Sequence, residues 1–181
     1  MRKMITLPGI GGSSDTHWQT AWERADSRFS RFTPMSWDQP DLGDWTSALE
    51  RAVSACDQPP VLVAHSLACL LVAHAAAELS CKVAGAFLVS VPNPNGPEFP
   101  SAAAPFRAVP AKALPFPSLM IASTNDPYGT MEYMRQRSRE WEAGLVAAGE
   151  LGHINASSGL GAWPQGRALL DAFCAGLPRM R

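Results

Sequence analysis

Ser66 stands where one apolar run, Val61-Leu62-Val63-Ala64-His65, passes into another, Leu67-Ala68-Cys69-Leu70-Leu71. Read as a strand entering a helix, this junction is a sharp turn that lifts a hydroxyl clear of a sheet. The unpaired N–H groups of the first helical turn point at the same spot, where a negative oxygen can be held. The usual spacing for such a turn is G-x-S-x-G. Here Ala64 and Ala68 stand in place of both glycines, and alanine is the next smallest residue. On this segment two readings of Ser66 stay open: a nucleophile, or a serine that caps the helix.

A serine hydroxyl is a weak nucleophile at neutral pH and needs a base. Of the four histidines, His65 faces elsewhere if Ser66 occupies the turn, His74 falls in the apolar helix, and His17 precedes the first helix. His153, in Glu150-Leu151-Gly152-His153-Ile154-Asn155, follows the last strand candidate and precedes the last helix. A parallel sheet presents such loops at the carboxyl ends of its strands. An imidazole base needs a carboxylate to hold its tautomer. Asp126 directly follows the strand candidate at 119–123, although a turn residue before Pro127 would look the same. The chain order Ser66, Asp126, His153 is the one in which the α/β-hydrolase fold carries nucleophile, acid and base.

The glycine-rich turn Leu7-Pro8-Gly9-Ile10-Gly11-Gly12-Ser13-Ser14 has neither the lysine nor the spacing of a phosphate loop. In a hydrolase it would supply a second oxyanion N–H, from Ile10 or next from Gly11, beside a first from Leu67. Its glycines also suit a tight turn with no further role. The chemistry implied requires no metal and no organic cofactor. Trp37, Phe106 and Trp163, together with Phe116, are candidates to line a substrate pocket, though aromatics more often pack in a core.

The elements that must position these groups alternate along the chain. Strand candidates fall at 4–7, 32–36, 61–64, 83–91, 119–123 and 145–147. Helical patterns fall at 18–25, 67–79, 129–143 and 164–176. A further helix is N-capped by Asp44, with Trp45, Leu49, Ala52, Val53 and Cys56 at helical spacing. This alternation predicts an α/β fold, a mostly parallel sheet of about six strands with helices on both faces. Between Pro92 and Pro117 lie eight of the sixteen prolines, with Phe99, Phe106 and Phe116 among them. So many prolines predict a long irregular loop, either a plain connection or a wall of the substrate pocket.

Composition narrows the classes. With 181 residues, 46% of them hydrophobic, the chain suits one domain over 1–181 with a sizeable core. Its 17% charged residues are too few for a disordered chain. A net charge of −1 without charge runs argues against nucleic acid or an anionic membrane as partner. The longest apolar run, 67–77, falls short of the ~20 residues of a membrane span. The apolar stretch after Arg2 and Lys3 is too short for a signal peptide. Cys56, Cys69, Cys81 and Cys174 form no C-x-x-C pair and read as reduced thiols, so a cytoplasmic protein is expected.

With these residues in place, the chain resembles the small serine hydrolases related to retinoblastoma-binding protein 9. The likeness runs nearly end to end. It rests on the opening turn followed by Trp18, on Val63-Ala64-His65-Ser66-Leu67-Ala68-Cys69, on Asn125-Asp126-Pro127-Tyr128, and on Gly152-His153-Ile154-Asn155-Ala156-Ser157-Ser158-Gly159 with Gly161, Trp163, Pro164 and Gly166. Ala68 departs from the glycine usual at its position. The resemblance implies a compact α/β-hydrolase core without the large lid domain of lipases, and a triad of Ser66, His153 and Asp126. Members of that family act weakly on simple esters at most; the residues themselves, Ser66 with His153 as base, predict hydrolysis of a small ester-like, amide or thioester acyl substrate through an acyl-enzyme. A rival reading is a hydrolase-like scaffold that binds a protein or metabolite and does little chemistry, although no particular protein partner is indicated. A third, with Cys69 as nucleophile, suffers from Cys69 lying three residues into the helix.

Overall fold

Short apolar runs make the sheet. In the computed structural model, which describes residues 2–178, β1 (Met4–Leu7), β3 (Val61–His65) and β4 (Gly85–Val89) are buried along their whole length. Buried backbone must find its hydrogen bonds within the protein, and strands paired on both edges provide them. The remaining strands are β2 (Phe29–Arg31), β5 (Ser118–Ala122) and β6 (Gly144–Ala147). All pair in parallel, in the order β2-β1-β3-β4-β5-β6.

Because side chains alternate along a strand, the central strands feed two cores. Ile5, Leu7, Leu62, Ala64, Leu88 and Met120 face a layer built from α2 (Leu42–Ser54), α3 (Leu67–His74) and α4 (Met131–Trp141). Met4, Val61, Val63, Phe87, Val89 and Ile121 face α1 (Trp18–Ala25) and α5 (Pro164–Gly176). This is the α/β-hydrolase core expected from the sequence, and the described residues include no lid domain.

Three local expectations are corrected. The second strand is Phe29–Arg31 and not 32–36, because its residues register against Met4, Ile5 and Thr6 while Pro34 has no N–H to give a ladder. The second helix begins at Leu42, and its N-cap is Asp41, whose carboxylate accepts from the Asp44 N–H at 2.8 Å; Asp44 lies inside the first turn. The segment 92–117 is not wholly irregular. It holds a short 3₁₀ helix, Ser101–Phe106, which buries Ala103 and Phe106.

Strand order reverses direction between β1 and β3, so the loops leaving their carboxyl ends diverge. Such a switch point opens a crevice above the sheet. The glycine-rich turn and Ser66 stand on its two sides.

Candidate active site

Ser66 has φ 55 and ψ −126, a backbone conformation costly for any residue with a Cβ. Its side chain makes no capping bond to the helix. Instead its Oγ lies 2.8 Å from Nε2 of His153, 87 residues away in sequence. The capping alternative is therefore set aside by geometry. The turn is held by the Ser66 N–H, which donates to the Val89 carbonyl at 3.0 Å, and by Ala64 and Ala68, both wholly buried. Gly9 presses against it from β1's loop. A Cβ at Gly9 would stand 2.9 Å from the Ser66 Cβ and 3.2 Å from the His65 carbonyl, so only glycine fits without displacement.

On the far side of the ring, Nδ1 of His153 lies 2.9 and 3.0 Å from the two carboxylate oxygens of Asp126. The Asp126 side chain is fully shielded from solvent, and Oδ1 also accepts from the Tyr128 N–H at 2.9 Å. A carboxylate accepts and never donates, so neutral His153 carries its proton on Nδ1. Nε2 is left with a lone pair facing the Ser66 hydroxyl. The ring of Tyr128 packs 4.4 Å from that of His153 and limits its tilt. The loop before His153 is tied to the end of β5: the Leu151 N–H donates to Ser123 Oγ at 2.9 Å and the Gly152 N–H to Asn125 Oδ1 at 2.7 Å.

The two sequence candidates for the second oxyanion donor separate here. The Gly11 N–H is already committed to the Trp37 carbonyl at 3.1 Å. Among the described residues, the N–H groups of Ile10 and Leu67 have no hydrogen-bond partner, and both residues line the cleft over Ser66.

That cleft has a volume of ≈ 440 Å³. Its apolar walls come from Ile10, Leu67, Pro92, Phe99, Pro100 and Tyr128, and Ser14, Asn155 and Ser157 add polar groups. Among the described residues, no Lys, Arg, Asp or Glu lines it. The aromatic residues chosen from sequence lie elsewhere. Phe106 is buried against Trp45, with its ring 5.6 Å away, and Trp163 stacks on Trp22 at 6.0 Å. Phe116 belongs to the same core as Phe106. Trp37 sits behind the glycine-rich turn, 3.4 Å from where a Gly12 Cβ would be. A wall of the cleft does come from the proline-rich segment, but from its first nine residues. The pattern alone does not distinguish Phe99 from Phe106, since both are phenylalanines among prolines.

His17 and His65 were set aside as bases, and both line the cleft beside His153. Their rings lie 4.9 Å apart, and that of His65 is 5.0 Å from His153. Burial pushes the His17 imidazole down to about 4, with the charges of Arg31 and His153 adding to it. Burial, then His153 and His17, drives His65 well below the usual histidine range. Both are neutral near pH 7. Burial likewise raises the Cys69 thiol, which donates to the Val89 carbonyl at 3.4 Å and stays a thiol, against a nucleophilic role. Among the described residues, no group of three His, Cys, Asp or Glu side chains converges as a metal ion would need.

The fold recurs among solved hydrolases. A protein described as a YdeN-like hydrolase from Pectobacterium atrosepticum is 32% identical, with a TM-score of 0.85 over 98% of this chain and 94% of its own. The ydeN gene product of B. subtilis is 20% identical and has a TM-score of 0.78, over 97% of this chain and all of its own. Est1E of Butyrivibrio proteoclasticus, solved with ferulic acid, shares the fold at 13% identity and a TM-score of 0.70, over 97% of this chain and 90% of its own. No curated protein sequence matches the chain. The pattern described as serine hydrolase matches residues 4–172, nearly the whole length, and the chain belongs to the serine hydrolase family.

Proposed function

We propose that the protein hydrolyses small, uncharged ester-like acyl substrates, with amides and thioesters as the neighbouring classes, using Ser66 as nucleophile. The observation that carries this reading is the line of three groups, Ser66 Oγ, the His153 ring and the Asp126 carboxylate, joined by contacts of 2.8 and 2.9 Å.

In the proposed reaction the Ser66 oxygen attacks the acyl carbonyl while Nε2 of His153 takes its proton. The Nδ1–H bond to Asp126 stabilises the imidazolium that forms. The N–H groups of Leu67 and Ile10 hold the carbonyl oxygen as it becomes negative. The imidazolium returns its proton to the departing alcohol, which leaves an acyl-Ser66 ester. A water, deprotonated by Nε2, then attacks that ester, and the acid is released with Ser66 restored. A cleft of ≈ 440 Å³ with no charged carboxylate or guanidinium in its walls supports a short, neutral acyl group. Four free thiols support a reducing, cytoplasmic setting, and no helix among the described residues is long and apolar enough to cross a membrane.

A fluorophosphonate probe tests the reading. The wild type is expected to take the label and to turn over p-nitrophenyl esters of short acids, and Ser66→Ala is expected to do neither. Equal labelling of both proteins refutes Ser66. No labelling and no turnover by the wild type at high enzyme concentration favours the scaffold reading.

A further inference from the structure

The loop carrying His153 turns abruptly one residue later. Ile154 has φ 48, in the left-handed region, where a β-branched side chain crowds its own backbone. Such a conformation persists only where the surroundings over-determine it. Here two buried donors reach the turn from distant elements. Nε2–H of His65 donates to the His153 carbonyl at 2.9 Å, and Nε1–H of Trp18 donates to the Ile154 carbonyl at 2.8 Å. Successive carbonyls of one strained turn are thus each held by a different part of the fold.

The origin of these donors matters. His65 is the last residue of β3 and the immediate neighbour of Ser66. Trp18 opens α1, and its indole lies edge-on to the His65 ring, with centroids 6.1 Å apart. The strand that presents the nucleophile therefore also grips the backbone of the base. If Ile154 relaxed to an ordinary conformation, the peptide linking it to His153 would rotate, and the imidazole would leave its line with the Ser66 hydroxyl.

We propose that His65 and Trp18 are positioning residues, a clamp on the His153–Ile154 turn that keeps Nε2 of His153 in line with Ser66 Oγ. This rests on the reading of Ser66 and His153 as nucleophile and base. A misplacement of about 1 Å between reacting groups costs roughly 100-fold in rate. The clamp therefore acts on the chemical step and leaves substrate binding alone.

Trp18→Phe removes the N–H and keeps an aromatic ring. Trp22→Phe is the matched control: its Nε1–H donates at 2.6 Å to the Ala162 carbonyl, on the same helix but away from the base. Trp18→Phe is expected to lower kcat on a p-nitrophenyl ester, and the rate of fluorophosphonate labelling, by roughly 10- to 100-fold with KM unchanged. Trp22→Phe is expected to keep both rates near wild type. His65→Leu should lower kcat and the labelling rate as Trp18→Phe does, with a KM change of its own because His65 also lines the cleft, and His65→Gln, whose amide N–H can reach the same carbonyl, should recover part of the loss in kcat. The low-field proton resonance of His153 Nδ1–H gives a readout independent of turnover. It is expected to shift in Trp18→Phe and His65→Leu and to stay in place in Trp22→Phe. If the wild type takes no label, the reading of Ser66 fails while this resonance still judges the clamp. Equal losses in Trp18→Phe and Trp22→Phe, or wild-type rates with an unmoved resonance in Trp18→Phe and His65→Leu, overturn it.

Discussion

Two stretches of chain meet over Ser66 and are held there to different degrees. The loop 151–154 is pinned almost atom by atom: Ser123 and Asn125 accept from its N–H groups, and His65 and Trp18 donate to its carbonyls. The longer segment 92–117 spreads its bonds thinly, from the Asn93 N–H to the Tyr128 carbonyl, from His74 Nε2–H to the Phe106 carbonyl and from the Leu114 N–H to the Trp141 carbonyl. The part that walls the cleft is held by bulk, with Phe99 buried under the Arg107 guanidinium, 4.9 Å over its ring. Directional bonds are short-ranged and angle-dependent, so they can aim an imidazole along one line. Apolar burial is non-directional and fills space and excludes water. The contrast teaches that a base must be aimed, whereas a pocket wall has only to be present.

The heaviest blow should fall on the pinned side. Asp126→Asn offers an amide N–H to Nδ1 of His153 and so favours the wrong tautomer. A loss of ~10⁴ in kcat is expected, read from ester hydrolysis with the fold checked by circular dichroism. A loss under tenfold would mean that the Asp126 charge does not set the His153 tautomer, and the comparison would break at its strongest point.

On the packed side, Phe99→Ala should enlarge the cleft and weaken binding. KM for short-chain esters should rise about tenfold while kcat stays within about twofold, because the lost contacts serve substrate and transition state alike. A matching collapse of kcat would show that the wall also aims something.

The last effect is one of acid, and it is read in stability and not in turnover. Burial lowers His17 from 6.5 to about 4, so between those values the unfolded chain binds a proton that the folded chain refuses. Stability from this group is whole above pH 6.5 and drains away as pH falls towards 4, by up to ~3 kcal/mol. His17→Asn keeps an N-cap, since the His17 ring now accepts from the Gln19 N–H and an asparagine oxygen can do the same. It has nothing to titrate. Urea melts from pH 7 to 4.5 should be flatter for the variant than for the wild type. Parallel curves would place the acid sensitivity elsewhere.

Much of this could be read before any coordinates. Ser66, Asp126 and His153 were legible because each follows an apolar strand-like run, and such runs are written in consecutive residues. The cleft was not. Phe106 and Trp163 look as well suited to a pocket as Phe99 does, yet the first two are core residues. Ile10 stands only a little ahead of Gly11 in the sequence, and it is the Trp37 carbonyl, claiming the Gly11 N–H, that separates them. The roles of His17 and His65 were hidden for the same reason, since neither has its neighbours nearby in the chain.

The amino-acid sequence alone determined the rhythm of strand and helix, the fold class, and the order in which Ser66, Asp126 and His153 leave the sheet. These follow from local periodicity and backbone preference, which act over a few residues. Tertiary structure alone decided which N–H groups stay free, which aromatics reach the cleft, and how the turn after His153 is restrained. Those outcomes depend on contacts such as that of Trp18 with Ile154, 136 residues apart, where packing of the whole sheet decides who meets whom.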